Sequence, residues 1–75
     1  MRRYTIIVEP DEEEGGYTVI VPALPGCVTQ GESVAECIER AAEAIEGYIE
    51  SLEAAGEPVP VDTERPQAIT IEVGT

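Results

Sequence analysis

Carboxylates are the only abundant chemically active groups in this chain. Sixteen Asp and Glu residues face four Lys and Arg residues, all of them arginine, for a formal net charge of -12. They fall into two patterns. Asp11, Glu12, Glu13 and Glu14 are consecutive, with Glu9 just before them and Glu72 far along the chain. Acidic clusters hold the divalent ions of two-metal phosphodiester hydrolysis, so this set admits a metal-dependent nuclease remnant. Glu36, Glu39, Glu43, Glu46, Glu50 and Glu53 recur instead at three- and four-residue steps. That spacing puts them along one side of a helix, where a partner's cationic side chains would find sites one turn apart.

Other chemistries lack their residues. With no histidine, neither a Ser-His-Asp nor a Cys-His nucleophile can form within one chain. With no lysine there is no Schiff-base chemistry, and Gly15-Gly16 leads into neither a helix start nor the lysine of a phosphate-binding loop. Cys27 and Cys37 are not in a CxxC arrangement, and a zinc site here would need carboxylates. They read as reduced thiols packed as small apolar residues. Consecutive acids at a turn ordinarily stay hydrated. The expectation is a non-enzymatic protein with no cofactor and no metal, and the nuclease remnant stands as an alternative.

The elements that must carry these groups follow from periodicity. Residues 4–9 are rich in β-branched side chains and end at Pro10, which cannot donate to a ladder. Residues 11–16 make a charged, glycine-closed turn, and residues 17–21 return as a second strand. A hairpin pairing Tyr4 with Val21, Ile6 with Val19 and Val8 with Tyr17 would put all six on the core face. Thr5, Ile7, Thr18 and Ile20 then share the opposite face, a candidate surface for oligomerisation.

A Pro/Gly loop leads to a short third strand over residues 27–30, closed by Gly31. Ser33 and Glu36 form a capping box opening a helix over residues 34–55, with Gly56 as its stop. Val34, Ile38, Ala41, Ile45, Tyr48, Ile49 and Leu52 form its apolar stripe. Pro58 and Pro60 begin an extended linker to Arg65 and Pro66. Residues 67–73 then alternate as a final strand, with Ile69, Ile71 and Val73 directed to the core. The expected fold is α+β in β-β-β-α-β order: a small, largely antiparallel sheet with one amphipathic helix on one face.

Seventy-five residues are expected to make one domain, 1–75. A chain this short buries only about 60% of its unfolded surface, so a homo-oligomer, dimer or tetramer, or another binding partner is expected to add buried area. The negative field repels phosphate backbones, so direct DNA or RNA binding is not expected. It attracts basic proteins and speeds their encounter. No apolar run is long enough to span a membrane, and Met1-Arg2-Arg3 leads straight into a strand rather than a secretory signal. A cytoplasmic location is expected.

Leu24, Pro25, Gly26, Cys27, Thr29, Gly31 and Ser33 stand in the order of a loop close to (D)LPGC-x-(T/S)-x-G, followed by a small polar cap. Glu36, Ala41, Ala44 and Ile45 fit the register of the helix that follows. With the opening hairpin, this composite resembles the HicB-like antitoxin family over nearly the whole chain. Ala23 departs from the acidic residue often seen before Leu-Pro-Gly. The resemblance implies a truncated ribonuclease-H-like α+β domain. It also implies a non-catalytic role: binding a small basic HicA-like toxin, an RNA-cleaving protein, and blocking its active site. Glu36, Glu39, Glu43, Glu46, Glu50 and Glu53 are the expected docking side chains. Longer members carry a C-terminal DNA-binding segment. The sequence stops at Thr75, just after the last expected strand, so a short, stand-alone member without that segment is expected. A self-associating structural domain with no toxin partner is the other alternative.

Overall fold

A computed structural model describes residues 2–62 and 66–74. Strands β1 (Ile7–Pro10), β2 (Tyr17–Ile20) and β3 (Val28–Gly31) form an antiparallel sheet in the order β1-β2-β3, and helix α1 (Val34–Ala54) follows. The class is α+β as expected, with the elements in β-β-β-α order.

The hairpin register differs from the simple expectation. Val8 pairs with Val19, and Pro10 with Tyr17. The slip is two residues, so every side chain keeps its expected face. Its cause lies in the turn. Pro10 is the last residue of β1 rather than the first beyond it, tolerated because β1 is an edge strand. The Asp11 amide then donates to the Gly16 carbonyl at 2.9 Å, and the Gly15 amide to the Asp11 carbonyl at 2.9 Å. The Asp11 carboxylate accepts from the amides of Glu13 and Glu14 at 3.1 and 3.2 Å.

The helix ends follow the sequence closely. Ser33 Oγ accepts from the Glu36 amide at 3.1 Å. The reciprocal bond of the expected capping box reaches one residue further back, from the Glu32 amide to Glu36 Oε1 at 3.1 Å. At the other end the Gly56 amide donates to the Glu53 carbonyl and the Glu57 amide to the Leu52 carbonyl, at 3.1 and 2.9 Å. That is a Schellman closure, and it needs the positive φ of 71° at Gly56.

The core lies between the sheet's inner face and α1, in two adjoining clusters. Val19, Cys37 and Ala41 gather Ile6, Val8 and Tyr17. Val21, Leu24 and Cys27 gather Tyr4, Ile6, Ala44, Ile45 and Tyr48. The six residues expected on the core face therefore all reach it. Val34 and Ile38, expected in the buried stripe, are exposed. The reason is placement: α1 packs chiefly over β3 and β2, and its flank toward β1 overhangs the sheet.

The expected final strand does not form. Residues 66–74 join no sheet, and Ile69, Ile71 and Val73 are 73%, 74% and 71% exposed rather than directed to the core. An alternating segment gains little unless a ladder and an apolar surface receive it together. The linker is tied to the start of the chain instead: Tyr4 Oη donates to the Pro60 carbonyl, and Thr5 Oγ1 to the Asp62 carboxylate at 2.8 Å. Its expected end at Arg65 lies outside the described residues.

Candidate functional site

The loop between β2 and β3 is built from its own backbone. The Leu24 amide donates to the Val21 carbonyl and the Cys27 amide to the Leu24 carbonyl, while the Val21 amide returns to the Cys27 carbonyl at 3.1 Å. Gly26 takes a φ of 81° at the turn. Leu24 is driven fully into the core, and Tyr48 Oη, from α1, donates to the Pro25 carbonyl at 2.8 Å. The loop is thus pinned from inside by a side chain and from outside by a phenol. Cys27 is buried, and burial pushes its thiol above the ordinary value of 9.0. A thiol held neutral is a poor nucleophile and a poor metal ligand. Thr29 lies on the inner row beside Val19, and Gly31 beside Tyr17.

Gly31 explains itself by contact. A Cβ there would meet the backbone nitrogen and Sγ of Cys37, both at 3.0 Å. Its absence lets the first turn of α1 sit directly on β3, and Ser33 then caps that turn. The motif residues Leu24, Pro25, Gly26, Cys27, Thr29, Gly31 and Ser33 therefore form the hinge that sets the helix against the sheet.

Set in this way, α1 presents Glu39, Glu43, Glu46, Glu50 and Glu53 to solvent along one side. Among the described residues none of the five is paired with a cation. Glu36 differs from them. It is half-buried, holds the Glu32 amide, and pairs with Arg40 Nε at 3.3 Å, so it serves the helix start. Glu36, Glu32 and Arg40 also line a shallow cleft with Glu14 of the hairpin tip. Like charges one turn apart repel by a few tenths of a kcal/mol per pair, which a cationic partner would relieve.

The tip carboxylates are arranged differently. Asp11 is committed to closing its own turn, and among the described residues no group of three or more His, Cys, Asp or Glu is gathered closely enough to hold a metal ion. Nor, among them, is any helix long and apolar enough to cross a membrane.

On the sheet's outer face the cross-strand pairs Ile7–Ile20 and Ile20–Val28 form one apolar row, joined by Thr18 in the polar row alongside. Thr5, expected on this face as well, is engaged with Asp62. Val28, 56% exposed, was not foreseen as part of the face. The signal for it was available: once β3 is set against β2, the period of two places Val28 beside Ile20.

Comparison with known proteins places the sequence in a family. The chain matches the family model of HicB-like antitoxins of bacterial toxin–antitoxin systems over residues 4–71. It is similar to a UPF0150 protein of Thermoplasma acidophilum, 50% identical over 60 residues, covering 80% of this chain and 86% of the relative. A UPF0150 protein of Synechocystis is 49% identical over 57 residues, covering 76% and 71%. Antitoxin HicB 1 of Photorhabdus laumondii is 41% identical over 63 residues, covering 79% of this chain but 40% of that longer protein.

Proposed function

The chain belongs to the HicB-like antitoxin family, and on that premise we propose that it is a non-catalytic antitoxin that neutralises a small basic, RNA-cleaving HicA-like toxin in the cytoplasm. The observation that carries the acidic-surface mechanism is the run of five exposed, unpaired glutamates on α1, Glu39 to Glu53. A toxin that grips RNA needs a cationic surface. A rigid row of carboxylates at one-turn spacing competes for that surface without any chemistry of its own. The overall charge of -12 adds long-range steering toward such a partner.

The test is calorimetry with a small Lys/Arg-rich toxin of the HicA-like kind. Tight binding is expected at low salt, falling as ionic strength shortens the screening length toward about 8 Å. Charge reversal in the triple variant Glu43→Lys, Glu46→Lys, Glu50→Lys should weaken it by at least about tenfold. Binding that is absent at low salt, or indifferent to the reversal, would overturn the acidic-surface mechanism.

A second reading, a self-associating domain with no toxin, draws on the outer row Ile7, Ile20 and Val28. It requires a dimer or tetramer in sedimentation that Ile20→Glu dissociates. A species that stays monomeric at micromolar concentration disposes of it.

A further inference from the structure

The sheet has two edges, and they are finished differently. Hydrogen bonding alternates along an antiparallel pair, so every second residue of an edge strand turns its backbone groups outward. On β1 the bond from the Asp11 amide to the Gly16 carbonyl sets the phase: Ile7 and Glu9 bond to β2, and Val8 and Pro10 face outward. Pro10 has no amide to offer there, and just ahead of β1 Tyr4 and Thr5 hold the linker at Pro60 and Asp62. On β3 the bond from the Val21 amide to the Cys27 carbonyl sets the phase. Thr29 and Gly31 bond to β2, and the amides and carbonyls of Val28 and Gln30 face outward. Both residues are exposed, and among the described residues none meets these backbone groups.

The open edge also lacks the charges that ordinarily discourage pairing. Residues 15–31 contain no Asp, Glu, Lys or Arg, in a chain of net charge -12. A neutral strand offers a basic partner no attraction, whereas a second acidic copy can approach it without repulsion along the ladder. The helix leaves room above this edge. The flank of α1 on that side carries Ala44, Gly47 and Ser51, and Ala44 lines a cleft over Thr29 with Arg40 and Glu43, one charge of each sign. Gly47 sits in the middle of α1, where only proline forms helix less readily, and a Cβ there would meet nothing within 4 Å. No contact within one copy requires that glycine.

We propose that β3 is a dimerisation edge, pairing antiparallel with β3 of a second copy across a two-fold axis at Thr29, so that the two sheets become one. In that register Val28 of each copy stands opposite Gln30 of the other, and each of these amides donates to the carbonyl across from it. A shift of the axis to Val28 would draw Gly26, with its φ of 81°, into the ladder. A shift to Gln30 would draw in Glu32, whose amide Glu36 already holds. With the axis at Thr29, Glu32 falls opposite Gly26 of the other copy and meets no acid. The two α1 helices then lie side by side along their small-residue flanks. A two-fold pairing consumes the open edge of both copies and leaves none to propagate. The inference is independent of any toxin and uses the edge of the sheet, not its outer face.

Hydrogen exchange and sedimentation on the full chain test it. The amides of Val28 and Gln30 should be protected in the dimer and should exchange as freely as surface amides once dilution gives the monomer. Free exchange of both at every concentration would overturn the proposal. Gln30→Pro deletes an outward amide at a position where an edge strand tolerates proline, as β1 does at Pro10. It should raise the dimer dissociation constant at least about tenfold, with helix content unchanged. Gly47→Gln, which a single copy has room for, should weaken the dimer as well. Dissociation by Ile20→Glu but not by Gln30→Pro would assign the dimer to the outer sheet face and refute the edge pairing.

Discussion

The two flanks of α1 meet the sheet in opposite ways. Toward β3, a bare glycine brings Cys37 down onto the strand, Ser33 closes the first turn, and Leu24 fills the space beneath the loop. Toward β1, Val34 and Ile38 stand proud and the segment that alternates like a strand lies outside the sheet. Both flanks carry apolar residues at helical spacing, so hydrophobicity alone does not separate them. What separates them is local closure. The β3 side is joined by short connections whose backbone groups satisfy one another, so contact there costs little chain entropy. The β1 side depends on a segment beyond the end of a long helix.

The difference can be broken most forcefully at Leu24. Leu24→Ala should remove ~2–5 kcal/mol by opening a cavity in the sealed half. In so small a domain that loss would show in urea melts as a largely unfolded protein. Ser33→Ala should cost ~1 kcal/mol, by orphaning the Glu36 amide at the start of α1, and would be read as a lower melting temperature with unchanged helix content.

The smallest effect concerns pH. The Cys27 thiol sits above its unfolded value in the fold, so its contribution is intact below about pH 9. It declines as pH rises through the raised folded value, because the unfolded chain ionises first. Melts across that window should show an alkaline loss of stability that Cys27→Ala lacks, and alkylation of Cys27 should be slow in the folded protein.

The sealed half was legible in the sequence because its signals are local. Ser33, Glu36 and Gly56 mark the helix to within a residue, and Pro25-Gly26 marks the turn. The faces of β1 and β2 were legible too, since alternation survives a two-residue slip. The register was not, because it depends on how residues 11–16 spend their hydrogen bonds. The final strand was misjudged for a related reason. Alternation in residues 67–73 states that the segment suits a ladder, but does not state whose. Of the candidate site, the six glutamates were found by spacing alone. That Glu36 serves the helix start emerges only when Glu32 and Arg40 are seen beside it.

The phenol of Tyr48, clasping the Pro25 carbonyl, ties the loop and the helix into a single stiff blade. For a partner docking as proposed, the carboxylate-bearing edge of that blade would offer a footing already fixed. Little motion remains to be frozen out at the moment of contact, and the attraction between opposite charges is kept largely for affinity.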